Sequence, residues 1–227
     1  MPPASLLDIQ NRIQAACDRV GRDAAGVTLI GASKTVPAAQ LEEFFAAGLR
    51  DFGENYVAEG IEKVRHFRER DLNATWHLIG ALQSNKARQA VAHFGLIHSL
   101  DRLSLARELD KEARKIGKTQ RVLVQVNVGN EATKAGVAPD ELPALLNDIS
   151  ALENLQIEGL MSLPPYRENP ENSRPFHRLL RELRAALPSS VFRLPHLSMG
   201  MSNDFEIAVE EGATMVRVGT ALFGARG

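Results

Sequence analysis

The stretch Arg121-Val-Leu-Val-Gln-Val-Asn-Val128 puts Val122, Val124, Val126 and Val128 on one side of an extended chain and Leu123, Gln125 and Asn127 on the other. Side chains alternate faces along a strand, so the valine face suits burial beneath helices. The opposite face, with its polar Gln125 and Asn127, then points into a barrel interior. Working outward, strand-like segments at 27–33, 51–55, 76–82, 96–100, 121–128, 157–163, 196–201 and 214–219 are each followed by a helix-like segment. Gln40-Leu-Glu-Glu-Phe-Phe-Ala-Ala runs to Gly48, Val57, Ile61 and Val64 keep one face, and Leu179, Leu180, Leu183 and Leu187 stop at Pro188. An amphipathic opening, Leu6, Leu7, Ile9, Ile13, Ala16 and Val20, predicts an extra helix ending near Gly21.

Eight strand–helix repeats close most simply into a (β/α)₈ TIM barrel, and 227 residues without a linker or low-complexity break fit one such domain over 1–227. An open doubly wound sheet is the competing α/β architecture, but no Gly-x-Gly-x-x-Gly follows the first strand.

Composition narrows the class. A 44% hydrophobic content provides for a core, and a net charge of −1 from 27 basic and 28 acidic residues, well mixed, gives no electrostatic case for nucleic acid or an anionic membrane. Cys17 is the single cysteine, so no intrachain disulfide or cysteine-based zinc site can form, and a reducing, cytoplasmic setting is expected. Met1-Pro-Pro-Ala-Ser-Leu-Leu-Asp8 has no basic region followed by an apolar one, which argues against export.

Chemistry gathers at the strand ends. Lys34 closes Val27-Thr-Leu-Ile-Gly-Ala-Ser-Lys34, where an apolar strand mouth would favour the neutral amine that a Schiff base requires. The competing reading is a lysine that carries its charge out to solvent. In Met215-Val-Arg-Val-Gly219 the same alternation turns Met215, Arg217 and Gly219 inward, and an inward arginine needs either a structural ion pair or a ligand. The junctions Ser198-Met-Gly-Met-Ser202-Asn-Asp-Phe-Glu206 and Gly219-Thr220-Ala-Leu-Phe-Gly224 expose backbone N–H groups after the last two strands, a common phosphate site in this fold. Gly200 and Gly219 permit close approach, and Ser202 and Thr220 add hydroxyls. Alternatively Ser202 is only an N-cap, and Asp204 and Glu206 would repel a phosphate they faced. Together these residues ask for a ligand with an aldehyde at one end and a phosphate at the other. Pyridoxal 5'-phosphate is that molecule.

Ala32-Ser-Lys34-Thr, Phe52-Gly-Glu-Asn-Tyr56, Trp76-His-Leu-Ile-Gly80 with Gln83-Ser-Asn-Lys86, Gly159-Leu-Met161, Leu197 to Glu206 and Val216 to Gly224 together resemble the YggS/PROSC family of pyridoxal-phosphate homeostasis proteins, over nearly the whole chain. The loop Asn127 to Gly136, with Lys134, is similar to that family's pattern apart from filler residues. The resemblance implies one barrel like the cofactor-binding domain of alanine racemase, without that enzyme's second domain. It further implies that Lys34 holds the cofactor as a Schiff base, Asn55 lies beside its ring and Arg217 faces the pyridine nitrogen. Ser202, Gly219 and Thr220 would bind the phosphate.

A permanent cation at the ring nitrogen disfavours the proton that makes the cofactor a strong electron sink. The chain reaches only Gly227, so a second domain carrying an acid/base group is not expected, and nothing in the sequence sets Tyr56 or Tyr166 opposite Lys34. The expected function is a monomeric, non-catalytic carrier that holds pyridoxal phosphate and supplies it to apo-enzymes. The rivals are a pyridoxal-phosphate racemase or decarboxylase, a cofactor-free barrel aldolase using Lys34, and a metal-dependent hydrolase built on His77, His98 and His196. The last lacks His-x-His spacing, and packed core histidines are the simpler expectation. The segment 163–174, Leu-Pro-Pro-Tyr-Arg-Glu-Asn-Pro-Glu-Asn-Ser-Arg, reads as a loop over the strand ends and a candidate lid.

Overall fold

The computed structural model describes residues 3–131 and 135–224. Eight parallel strands, β1 (Thr28–Ala32), β2 (Asp51–Glu54), β3 (Thr75–Leu78), β4 (Leu96–Leu100), β5 (Gln120–Val126), β6 (Leu155–Ser162), β7 (His196–Ser198) and β8 (Met215–Val218), close in sequence order. The closure is the β8–β1 pairing, Met215 opposite Thr28 through Val218 opposite Gly31. Helices α2 (Ala38–Ala46), α3 (Val57–Arg68), α4 (Ala87–His93), α5 (Leu103–Lys115), α6 (Leu142–Ser150), α7 (Arg174–Ala186), α8 (Phe205–Glu210) and α9 (Thr220–Phe223) follow the strands in turn, and α1 (Ala4–Arg19) precedes β1. The (β/α)₈ barrel with an extra N-terminal helix is therefore as read from the sequence.

Three strands stop two or more residues before the ends of their sequence patterns. The 76–82 run stops at Leu78, because Ile79 N–H turns to bond Glu54 O at 2.9 Å and Gly80 then passes the β2–α3 loop. A Cβ on Gly80 would lie 2.2 Å from the Asn55 carbonyl oxygen, so only glycine allows that approach. The 121–128 run ends at Val126, after which Asn127 N–H bonds Val137 O at 2.9 Å. The 196–201 run ends at Ser198, and Gly200 adopts φ +88° beneath Phe205 and Ala208.

The alternation on β5 and β8 is as expected. Leu123 and Met215 meet Ile30, Leu96 and Met161 in a small apolar layer inside the barrel, while Val122, Val124, Val126, Val216 and Val218 join the larger core under the helices. Phe52, Phe67 and Trp76 form its aromatic part, Phe52 stacked on Trp76 at 5.4 Å and Phe67 edge-on to it at 5.1 Å. On α1 the buried stripe is Leu6, Ile9, Ile13, Ala16 and Cys17, whereas Leu7 and Val20 are exposed. Val20 shares that face by helical period, but the helix ends at Arg19 and Val20 is its non-helical C-cap, which leaves it exposed. That face lies against α8 and α9, tied by Ser5 Oγ–H to Leu222 O at 2.7 Å and by Arg12 to Glu206 at 3.0 Å.

Leu123 is fully buried in this five-residue layer inside a closed barrel, so truncating it leaves a void that the surrounding strands can only partly fill. Leu123→Ala is expected to cost ~2–5 kcal/mol of stability, read as a fall in the urea midpoint with unchanged slope.

Candidate functional site

β1 delivers Ser33, Lys34 and Thr35 to the C-terminal mouth of the barrel, and a buried ion-pair network holds the backbone on both sides of Lys34. Lys63 on α3, 6% exposed, donates to Ser33 O at 2.6 Å, to Glu54 Oε1 at 2.7 Å and to Glu59 Oε1 at 2.8 Å. Glu59 Oε1 also accepts from Thr35 N–H at 2.6 Å, and Glu54 Oε1 from Ser33 Oγ–H at 2.5 Å. Thr35 is thereby held at φ +66°, a conformation a β-branched residue adopts only under constraint. Burial pushes the Glu54 carboxyl up, against the pull of its Lys63 and Ser33 hydrogen bonds.

The Lys34 amine has no hydrogen bond or ion pair among the described residues. Its Nζ lies 5.0 Å from the centroid of the Tyr56 ring, and the residue is half-buried. The apolar enclosure read from the sequence is thus partial, and one wall is aromatic. A recess of about 220 Å³ joins Lys34, Thr35 and Gln40 to Gly219, Thr220 and Phe223. Larger hollows, of about 370 and 480 Å³, open at the N-terminal ends of the strands, away from the face that carries chemistry in this fold.

Ser202 is not the N-cap of α8, which begins after Asp204. Its Oγ instead accepts from Gly219 N–H at 3.2 Å and Ala221 N–H at 3.4 Å, so an oxygen already sits where those backbone donors converge. A Cβ on Gly219 would lie 3.1 Å from Ala32 O, and one on Gly200 2.5 Å from Ala208 Cβ, which fits the close approach expected of both glycines. Asp204 and Glu206 face elsewhere. Asp204 accepts from Met201 N–H at 2.7 Å and pairs with buried His177 at 3.0 Å, while Glu206 pairs with Arg12. Burial raises the Asp204 carboxyl, but His177 and the Met201 N–H outweigh it and leave the group lower than usual.

Arg217 is 3% exposed and meets no carboxylate in an ion pair among the described residues. Its guanidinium donates to Ser198 Oγ at 2.5 Å and Ser162 O at 2.8 Å, fewer acceptors than it has N–H groups. Burial pulls it down to about 10, opposed by the more distant Asp204, and it stays charged at neutral pH. The structural ion pair weighed from the sequence is therefore absent among the described residues, and the spare donors fit an acceptor on a ligand.

The structure joins Lys34, Gly219 and Thr220 in one recess, links Ser202 to it by hydrogen bonds and sets Arg217 two residues below Gly219 on β8. Asn55 stands at the mouth over Gly80, outside the recess. Lys134 lies outside the described residues. Tyr166 is 72% exposed in the loop after β6, which Asn203 Nδ2–H ties down through Arg167 O at 2.8 Å. His77 and His98 are buried and bonded to each other, and no group of three metal-ligating side chains occurs among the described residues. Sequence reading missed the Lys63 clamp and the Tyr56 contact. The Glu59–Lys63 spacing of four residues on a helix was the available signal for the first.

The alanine racemase N-terminal domain model matches residues 6–227. A pyridoxal phosphate homeostasis protein of Aquifex aeolicus is 51% identical over 219 residues, 96% of this chain and 95% of that protein. The chain belongs to this family. A second pyridoxal phosphate homeostasis protein, from Pseudomonas aeruginosa, is 47% identical over 223 residues, covering 98% of this chain and 94% of its own. Among solved structures, PipY of Synechococcus elongatus PCC7942 with pyridoxal phosphate bound superposes at TM-score 0.82 and 42% identity, over 94% of this chain and all of PipY. An alanine racemase of Clostridium difficile, at 16% identity and TM-score 0.71, shares the fold over 97% of this chain and 60% of the racemase.

Burial, reinforced by His77, Arg217, His196 and Arg121, holds His98 well below the ordinary histidine value of about 6.5. Burial lowers His196 too, with Glu158 opposing. The unfolded chain therefore binds these protons first as pH falls. Stability is expected to be full above about pH 6.5 and to be lost progressively below it. Urea titrations across that range check the window; stability rising on acidification would contradict it.

Proposed function

We propose that this protein holds pyridoxal 5'-phosphate on Lys34 and supplies it to apo-enzymes in the cytoplasm, with little or no turnover of its own, as a monomer of one barrel domain. The observation that carries this reading is the buried Arg217 guanidinium with spare donors and no carboxylate partner among the described residues. The relatives' shared name and the pyridoxal phosphate bound to PipY support the same ligand. No described helix is long and apolar enough to cross a membrane.

When bound, pyridoxal phosphate supplies an aldehyde that condenses with amines and a ring that accepts electron density once its nitrogen is protonated. Lys34 would hold the aldehyde end, its amine without a hydrogen bond or ion pair among the described residues and its backbone fixed by Lys63 and Glu59. Gly219 and Thr220 N–H groups with the Ser202 hydroxyl would hold the phosphate, and Asn55 would flank the ring. Arg217 would donate to the ring nitrogen and oppose its protonation, which restrains carbanion chemistry. Neither tyrosine is oriented as an acid or base by a hydrogen bond among the described residues. Tyr56 lies against Lys34 itself, and Tyr166 projects into solvent.

The test is the visible absorption spectrum of the protein and of Lys34→Ala, each before and after borohydride. A band in the parent that is absent from the variant, with cofactor fixed to the Lys34 peptide after reduction, is expected. A parent that stays colourless after incubation with pyridoxal phosphate would overturn the reading in favour of a cofactor-free lysine enzyme. Amino-acid racemisation or decarboxylation that rises with the cofactor-loaded fraction would overturn the non-catalytic part.

A further inference from the structure

Beneath the pocket, polar side chains cross the barrel in continuous contact. Arg217 on β8 bonds Ser198 Oγ on β7 at 2.5 Å, and Ser198 Oγ lies 2.9 Å from His98 Nδ1 on β4. His98 Nε2 lies 3.0 Å from His77 Nδ1 on β3, and His77 Nε2 lies 2.9 Å from Asp51 Oδ1 at the start of β2. Ser198 and His98 are wholly buried, His77 is 2% exposed and the Asp51 side chain 26%. The chain runs from the arginine below the pocket to a carboxylate at the opposite end of the barrel.

Its proton positions follow from its ends. Arginine only donates, so Ser198 Oγ accepts from Arg217. The Ser198 hydroxyl proton then has one acceptor among the described residues, His98 Nδ1, and in a buried position it must use it. His98 is faced by His77 from β3, Arg217 from β8, His196 from β7 and Arg121 from β5, all cations or potential cations, and stays a neutral imidazole with one N–H. That proton is on Nε2, where it donates to His77 Nδ1, and His77 in turn donates from Nε2 to Asp51. The reverse order would put a proton on His98 Nδ1 and leave the Ser198 hydroxyl without an acceptor.

We infer that Ser198, His98, His77 and Asp51 form a one-way hydrogen-bond relay that fixes the orientation of the Arg217 guanidinium and anchors it to the far end of the barrel. These are positioning residues, since they act through Arg217. The proton order stands on the protein alone; its consequence for the cofactor rests on the pyridoxal-phosphate reading above.

Long-range proton–nitrogen NMR of the imidazoles in the ligand-free protein tests the order directly. His77 and His98 are both expected to carry hydrogen on Nε2 with Nδ1 bare at neutral pH. A proton on His98 Nδ1 overturns the relay. Two variants at the remote end test the consequence. Asp51→Asn retains a carbonyl acceptor and is expected to keep both tautomers. Asp51→Leu removes it, keeps the order set from the Arg217 end but leaves the His77 Nε2–H without an acceptor, and is expected to alter the induced circular dichroism of bound pyridoxal phosphate and speed its release roughly tenfold, about one buried hydrogen bond. Unchanged circular dichroism and release in Asp51→Leu would also overturn the relay. A parent with the expected tautomers that takes up no pyridoxal phosphate would refute the proposed function and leave the relay standing.

Discussion

Arg217 brings a full positive charge into the barrel interior, and among the described residues only a serine hydroxyl and a backbone carbonyl receive its hydrogen bonds. Burying a charge without an opposite one is expensive, and proteins ordinarily avoid it by pairing. Here the surroundings instead supply oriented dipoles: Ser198 Oγ on one side, Ser162 O on the other, and the His98 imidazole behind Ser198. Much of the polar interior follows from this one requirement. His98 must remain neutral beside the guanidinium, and the serine proton must point away from it.

The second organising feature surrounds Lys34. A flexible lysine is a poor fixed point, since its side chain has many rotamers to lose. The fold therefore fixes the backbone rather than the amine. Lys63 holds the carbonyl before Lys34, Glu59 holds the amide after it, and Glu54 completes the charge balance from the core. The left-handed Thr35 is the strained consequence, at a cost on the order of 1–3 kcal/mol that the buried network must offset. The amine itself has no hydrogen bond among the described residues and lies against the face of Tyr56.

Most of the architecture was legible because it depends on periodicity. The valine face of β5 and the inward parity of Met215 and Arg217 are properties of any strand, and eight repeats admit few closures. Strand ends were less legible, since they depend on where another segment crosses. Gly80 ends a pattern only because Asn55 lies against it. The grouping of Lys34 with Gly219 and Thr220 was readable from strand-end position. The role of Ser202 was ambiguous until its oxygen was seen on the Gly219 and Ala221 amides. Lys63 and His98 were illegible as site components for a different reason. Their partners, Ser33 and Ser198, lie 30 and 100 residues away, and no local pattern encodes a contact across the barrel.

The central claim is that a buried cation, a free lysine amine and a set of convergent backbone donors serve one ligand. A crystal structure of the protein grown with pyridoxal phosphate tests this most directly. The account requires density continuous from Lys34 Nζ, the ring nitrogen within hydrogen-bond distance of Arg217 and the phosphate on Gly219, Thr220 and Ser202. Pyridoxal phosphate bound elsewhere, or held with Arg217 still bonded only to Ser198 and Ser162, would contradict it.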